Sequence, residues 1–231
     1  ALGLDLALPK GFSLNVEGYA KGYFNALTTE SNAQTIYRTG TSEKQVFGGE
    51  ILLMRTPDRI PVYGWIGFSS YYMREKRTEG FDASTLGALQ TARAPVGTWY
   101  ASDSVPYQLT LDLMVDFIPG LTLTGEFTWA AGSAYTPVTN ATMVANGPMT
   151  NYIPQYGEYD SARTPDQTQI NLKLQYRRSL KRGAFSAFLQ VVNVLNTRPI
   201  TSYTYSRDYT TKTGVQSAIG IYPNLGVAWE W

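Results

Sequence analysis

The chain has 231 residues, with 19 Lys and Arg against 18 Asp and Glu, so its net charge of +1 offers no concentrated basic surface for a nucleic acid. It contains no Cys and no His, which excludes disulfides, thiolate metal sites and every mechanism that needs a thiolate or an imidazole. Aromatic residues make up 13%, with 17 Tyr and 21 Gly against 16% charged residues, a balance that suits an aromatic-rich β protein.

No stretch approaches the roughly 20 consecutive apolar residues of a transmembrane helix. Ala1 to Leu8 alternates with no basic segment before it, so it does not read as a signal peptide. From there on a period of two recurs along the chain, the mark of strands with one apolar face. Leu2, Leu4, Leu6 and Leu8 share a face, followed by Phe12, Leu14 and Val16, then by Phe47, Gly49, Ile51 and Leu53. Val62 to Tyr72 is aromatic and Gly-rich, and its two faces are not separable by pattern. Leu109, Leu111, Leu113, Val115 and Phe117 alternate almost without a break against Gln108, Thr110, Asp112, Met114 and Asp116. Three more stripes follow, at Leu121, Leu123, Phe127 and Trp129, at Ile170, Leu172, Leu174 and Tyr176, and at Phe185, Ala187, Leu189 and Val191, with Phe188 blurring the polar side of the third. Leu225, Val227, Trp229 and Trp231 close the chain. The expectation is about nine strands, most of them long enough to cross a bilayer at a tilt.

The connections alternate in length. Pro9–Gly11, Thr56–Pro61, Ile118–Gly120 and Ser179–Gly183 are short and carry Pro or Gly, the chemistry of hairpin turns. Asn25–Gln45, Arg77–Ser104, Tyr135–Asp166 and Arg198–Tyr222 read as long polar loops. Outer-membrane barrels segregate their connections in this way, whereas a soluble β-sandwich has no reason to. The fold class expected is therefore all-β, an antiparallel transmembrane β-barrel whose apolar stripes face lipid. Phe12, Phe117, Tyr176, Phe185 and Trp231 would form an aromatic girdle near the short turns, and Tyr71, Tyr72, Trp129 and Tyr135 one at the other end. Mid-strand Glu17, Glu50, Asp112, Glu126 and Lys173 would face a wet lumen, although a solvated sheet face would hold them equally well.

Several segments resemble the C-terminal barrel region of TonB-dependent outer-membrane transporters. These are Phe47-Gly48-Gly49-Glu50-Ile51-Leu52-Leu53 with the following Gly64-Trp65-Ile66-Gly67-Phe68-Ser69, then Ala131-Gly132-Ser133-Ala134-Tyr135-Thr136-Pro137, Arg163-Thr164-Pro165 with Ile170-Asn171-Leu172, and Val192-Asn193-Val194-Leu195-Asn196-Thr197-Arg198. Their order, spread over almost the whole chain, strengthens the likeness. Leu225, Gly226, Val227, Trp229 and Trp231 resemble the terminal signal read by the barrel-assembly machinery, with Trp in place of the more usual Phe.

That resemblance implies a larger barrel of 22 strands, of which residues 1–231 are the C-terminal part, with the plug domain and N-terminal strands absent. It implies uptake of a scarce solute of the siderophore, vitamin, glycan or peptide class across the outer membrane of a Gram-negative bacterium. Long loops would be extracellular and short turns periplasmic. Expected partners are outer-membrane lipid, the barrel-assembly machinery, the TonB complex through the missing N-terminal region, and other chains if those complete the barrel. The alternative is a non-transporting outer-membrane barrel, a pore, adhesin or structural component. An enzyme is not expected, and neither a cofactor nor a metal is implied.

Tyr152, Tyr156, Glu158, Tyr159 and Asp160 form the loop stretch singled out for ligand contact, since tyrosine both stacks and hydrogen-bonds. Glu158 and Asp160 alone are too few ligands for a Ca²⁺ site. The sequon Asn140-Ala141-Thr142 is accidental in such a loop, and Lys10, Arg55, Arg59, Arg177, Arg178, Lys181 and Arg182 gather at the short turns, where they could meet lipid headgroups.

Overall fold

The computed structural model describes residues 1–31, 36–80, 97, 99–101, 104–146 and 149–230. Its elements in chain order are β1 (Leu2–Ala7), β2 (Phe12–Ser31), β3 (Ile36–Arg55), β4 (Val62–Gly80), β5 (Trp99–Ala101), β6 (Val105–Ile118), β7 (Leu121–Ala130), β8 (Ala134–Tyr135), β9 (Val138–Asn146), β10 (Met149–Tyr156), β11 (Ala162–Arg163), β12 (Gln167–Ser179), β13 (Ala184–Val192), β14 (Ile200–Tyr205), β15 (Lys212–Gln216) and β16 (Tyr222–Glu230). Among the described residues no helix is long and apolar enough to cross a membrane, so a crossing would have to be made by strands.

Nine strands follow one another in a single antiparallel sheet, β1-β2-β3-β4-β6-β7-β12-β13-β16, with β5 added to β4 off that path. β1 and β16 do not pair with each other, so the sheet is open and is not a closed barrel. The hairpin turns have local causes. Between β1 and β2 the chain reverses through Lys10 and Gly11, both at positive φ (61° and 74°), and the Leu8 N–H donates to the Phe12 carbonyl at 2.8 Å. Gly120 (φ 86°) and Gly183 (φ 96°) supply the same left-handed step for β6–β7 and β12–β13.

At the other end the expected long loops are partly strand. Asn25–Gln45 is not a loop, because β2 and β3 run through most of it, with Tyr23 opposite Lys44, Ala26 opposite Ser42 and Ser31 opposite Ile36. Register shifts between Tyr23 and Ala26 and between Thr28 and Thr29 break the period of two there, which is why no stripe is visible in the sequence. Tyr135–Asp166 holds the β9–β10 hairpin and the short β8–β11 pair, and Arg198–Tyr222 holds the β14–β15 hairpin. β4 extends into Arg77–Ser104 as far as Gly80, and most of the remainder of that segment lies outside the described residues. Among the described residues the short turns lie at one end of the sheet and the long β7–β12 and β13–β16 connections at the other, whereas β2 and β3 are joined by no long loop.

The pairings carry one apolar face across all nine strands. Leu6 lies opposite Leu14, Leu14 opposite Leu53, Leu53 opposite Ile66, Ile66 opposite Leu111, Leu111 opposite Phe127 and Phe127 opposite Ile170. Nearer the turns, Val62, Val115, Leu123, Leu174, Leu189 and Leu225 form the next row. Register also separates the two sides of β4. Ile66, Phe68 and Tyr72 stand with the apolar stripe, and Tyr63, Trp65 and Tyr71 stand opposite, so Tyr71 is not part of an apolar-face girdle. Tyr135 also leaves that girdle, because β8 lies off the sheet. Phe47, Tyr72, Tyr107 and Trp129 mark the loop end of the face, with Tyr107 stacked on Trp129 at 4.8 Å. At the turn end stand Phe12, Phe117, Tyr176, Phe185 and Trp229.

Between these aromatic borders no charged side chain of the described residues stands on the face. Nor does any helix or second sheet among them cover it, and Leu2 (85%), Leu113 (41%), Leu189 (51%) and Leu225 (75%) remain exposed. Eight strand spacings of about 4.8 Å make it roughly 40 Å wide.

The opposite face carries Asp5, Glu17, Glu50, Asp112, Asp116, Glu126, Lys173, Arg177 and Glu230, with an apolar island at Leu52, Met54 and Trp65. Asn15 donates to Asp5 at 2.6 Å, Asn171 to Glu126 at 2.9 Å and Thr122 to Asp116 at 2.6 Å. Phe188 also stands on this side, with the Lys173 ammonium 5.0 Å from its ring centre, and it lies flat over Gly226 of the last strand. A Cβ at Gly226 would run into that ring, so Gly226→Val should lower stability by about 1–3 kcal/mol in equilibrium urea unfolding. Simultaneous Phe188→Ala should recover part of the loss, and a Gly226→Val variant as stable as the parent would contradict this packing.

Candidate functional site

Where β7 leaves the sheet, Ala131–Pro137 meets Arg163–Pro165. Tyr135 pairs with Ala162 and Ala134 with Arg163, the Arg163 guanidinium donates to the Gly132 carbonyl at 2.9 Å, and the Ser133 N–H donates to Thr164 Oγ1 at 2.9 Å. Gly132 sits against the Thr164 backbone with no room for a Cβ. Two segments that look unrelated in sequence are thus the two sides of one clasp at the foot of the long connection.

Val192–Arg198 is a second clasp. Asn193 takes a left-handed conformation (φ 55°) that ends β13, and its Oδ1 accepts from Thr197 N–H at 3.0 Å and Thr197 Oγ1 at 2.9 Å. Its Nδ2 donates back to the Thr197 carbonyl at 2.8 Å, and its own N–H donates to Asn171 Oδ1 at 2.9 Å. Thr197 Oγ1 also reaches the Thr168 carbonyl at 2.8 Å, and Asn196 Oδ1 accepts from Ile221 N–H at 3.0 Å. Asn193 is 6% exposed, so these bonds replace water almost completely. A cavity of about 360 Å³ with mixed lining lies beside this clasp, with Gln167, Asn193 and Thr197 on its polar side and Val192, Ile219 and Tyr222 on its apolar side.

Outside the clasps, the β9–β10 and β14–β15 hairpins lean together. The Tyr135 and Tyr203 rings lie 4.8 Å apart. Lys212 Nζ donates to the Tyr135 hydroxyl at 3.0 Å and sits 4.2 Å from the centre of the Tyr203 ring. That hydrogen bond to Tyr135 raises the Lys212 ammonium above the ordinary lysine value and keeps it charged. Arg207 donates to the Thr150 carbonyl at 3.0 Å, tying the tip of one hairpin to the other. Between them opens a cleft of about 560 Å³ lined by Asn151, Tyr152, Tyr203, Thr204, Tyr205, Ser206, Arg207 and Tyr209.

The turn Ser206–Thr211 builds one wall. Asp208 Oδ1 accepts from Ser206 Oγ at 2.6 Å and from Thr210 Oγ1 at 2.9 Å, and these bonds, that from Ser206 first, hold its carboxyl below the ordinary aspartate range. Tyr209 is thereby kept at φ 58°, with its ring 5.9 Å from that of Tyr205.

The loop residues expected to contact ligand separate into two groups. Tyr152 lines the cleft, and burial, with Tyr209 and Tyr205 nearby, pushes the Tyr156 phenol upward. Glu158, Tyr159 and Asp160 lie beyond the end of β10 in the bend leading to β11, where the Asp160 N–H donates to Thr136 Oγ1 at 3.0 Å. Among the described residues no three His, Cys, Asp or Glu gather as metal ligands. Sequence reasoning missed Tyr203, Tyr205, Tyr209, Arg207 and Lys212. The signal was there in Tyr203-x-Tyr205, alternate aromatics inside a segment classed as loop.

Leu225, Val227 and Trp229 project from the apolar face of β16, with Val227 71% exposed, and Gly226 packs against Phe188 on the other side. The outer edge of β16 is unpaired among the described residues, and Trp231 lies outside them. Comparison with known protein families and with curated proteins found no match to this chain. The class defined by the fold is an open, all-β antiparallel sheet whose apolar face is uncovered among the described residues.

Asn193→Ala should cost about 2–4 kcal/mol, because it leaves the Thr197 N–H and carbonyl without their partner and places Ala at positive φ. Asn193→Gly should recover only the backbone part. Equilibrium unfolding of the two variants measures the difference, and an Asn193→Gly variant as stable as the parent would contradict the hydrogen-bond account.

Proposed function

We propose that the chain is part of a TonB-dependent outer-membrane transporter, its nine-stranded sheet forming a section of a larger closed barrel and its long connections facing outside the cell. The observation that supports this most is the apolar face, free of charge between its aromatic borders and without protein cover across nine strands among the described residues. At roughly 40 Å by 25 Å it would be about 1,000 Å², well beyond the few hundred Å² that soluble monomers expose. Aromatic side chains border it at both ends, as interfacial girdles do. Two unpaired edge strands call for further strands to satisfy their backbone groups.

Transport, rather than mere membrane residence, is supported by the ordered resemblances and by the clasps they form. Solute would be gripped at the outer mouth by the loop hairpins and released inward with energy delivered through TonB from the upstream part of the protein. The short turns, with Arg177, Arg178, Lys181 and Arg182, would lie at the periplasmic surface.

Leu111→Arg, at mid-face, should destabilise the folded chain in phospholipid vesicles by about 2–4 kcal/mol. Thr110→Arg, one residue away on the other face, should cost about 0–1 kcal/mol. Equal costs would remove the membrane assignment. Solute uptake that persists in cells lacking TonB would instead leave a non-transporting or passive barrel.

A further inference from the structure

We propose that the cleft between the β9–β10 and β14–β15 hairpins binds an oligosaccharide. The assignment deepens the transporter reading and rests on these hairpins facing the outside. Tyr152, Tyr205 and Tyr209 line one opening of about 560 Å³ together with Tyr203, whose ring is engaged by Tyr135 and Lys212, and Asn151 and Arg207 stand at its polar margin. A sugar ring presents C–H groups on its faces and hydroxyls around its rim, so it satisfies aromatic faces and peripheral hydrogen-bonding groups at once.

Competing ligand chemistries fit less well. A cationic ligand would meet Arg207 in the wall and Lys212 behind it, while the nearby Asp208 carboxylate is already engaged by Ser206 and Thr210. A polyanion would find one guanidinium in the lining, since the Lys212 ammonium is committed to Tyr135 and Tyr203. A purely apolar ligand would leave the amide of Asn151 and the guanidinium of Arg207, both in the lining, without a ligand partner.

The wall also holds a residue in a conformation that its type disfavours. Tyr209 sits at φ 58°, where glycine would be at ease and a bulky side chain is not, and the turn hydrogen bonds from Tyr209 N–H to Ser206 O (2.9 Å) and from Ser206 N–H to Thr211 O (2.9 Å) hold it there. Strain of this kind, retained at a cleft and aiming a ring beside Tyr205, points to a use for the ring.

The test is titration calorimetry of the intact barrel that contains this chain, purified in detergent, with maltohexaose, cellohexaose and xylohexaose, and with a ferric tris-catecholate complex as the aromatic competitor. At least one hexaose should bind, and Tyr152→Ala and Tyr209→Gly should each weaken it tenfold or more. Tyr209→Gly separates binding from folding, because relief of the positive φ should leave the thermal midpoint unchanged or higher. Binding of none of the three sugars, or sugar binding undiminished in both variants, would overturn the proposal, as would a preference for the catecholate. Vesicle insertion of the same preparation is measured in parallel. Sugar binding without insertion would sink the transporter reading and leave the cleft, whereas insertion without sugar binding would sink the cleft alone.

Discussion

Side chains alternate across a strand, so a slip of one residue in any pairing would turn a whole apolar stripe onto the wrong side of the sheet. Each of the eight neighbouring pairings of the nine strands keeps apolar opposite apolar, from Leu4 against Val16 at one edge to Leu189 against Leu225 at the other. Everything else depends on that shared register. It gathers charge on one side, leaves a continuous uncharged surface on the other, and brings all the short turns to one end. In water such a surface needs a second layer, and the described residues supply none.

Local devices pin the register where the strands end. Positive-φ glycines set the turns, Gly226 admits Phe188 across the last pair, and Asn193 stops β13 while tying it to Asn171 of β12. Asn171 in turn donates to Glu126 of β7, so a polar chain of three strands runs directly beneath the loop connections. The clasps at Gly132 and Asn193 therefore link the rigid sheet to the two hairpins that frame the tyrosine cleft. A ring placed on such a base loses less freedom when it meets a ligand than one on a free loop would.

Legibility in the sequence followed the physics of alternation. Leu109–Val115 shows its stripe because every second residue meets one environment, and the structure returns it, whereas a register shift between Asp116 and Ile118 interrupts the alternation at Phe117. Val62–Tyr72 could not be divided into faces by pattern, since Tyr63, Trp65 and Tyr71 populate the polar side with aromatics. Asn25–Gln45 was hidden for another reason, as register shifts change the parity of β2 there. The cleft depended on contacts that no local window contains: Lys212 reaches Tyr135, and Arg207 reaches Thr150. Tyr152 and Tyr156 could be chosen by residue type, but their partners could not.

The central claim is that the uncovered face meets lipid. Because the chain has no native Cys, single cysteines can be placed along β6 from Leu109 to Val115 and spin-labelled without interference. Collision rates with oxygen, which concentrates in bilayers, and with a water-soluble nickel chelate can then be compared in vesicles. The account predicts oxygen-accessible, chelate-protected labels at 109, 111, 113 and 115, alternating with chelate-accessible labels at 110, 112 and 114. Uniform chelate access along β6, or alternation of the opposite phase, would contradict it.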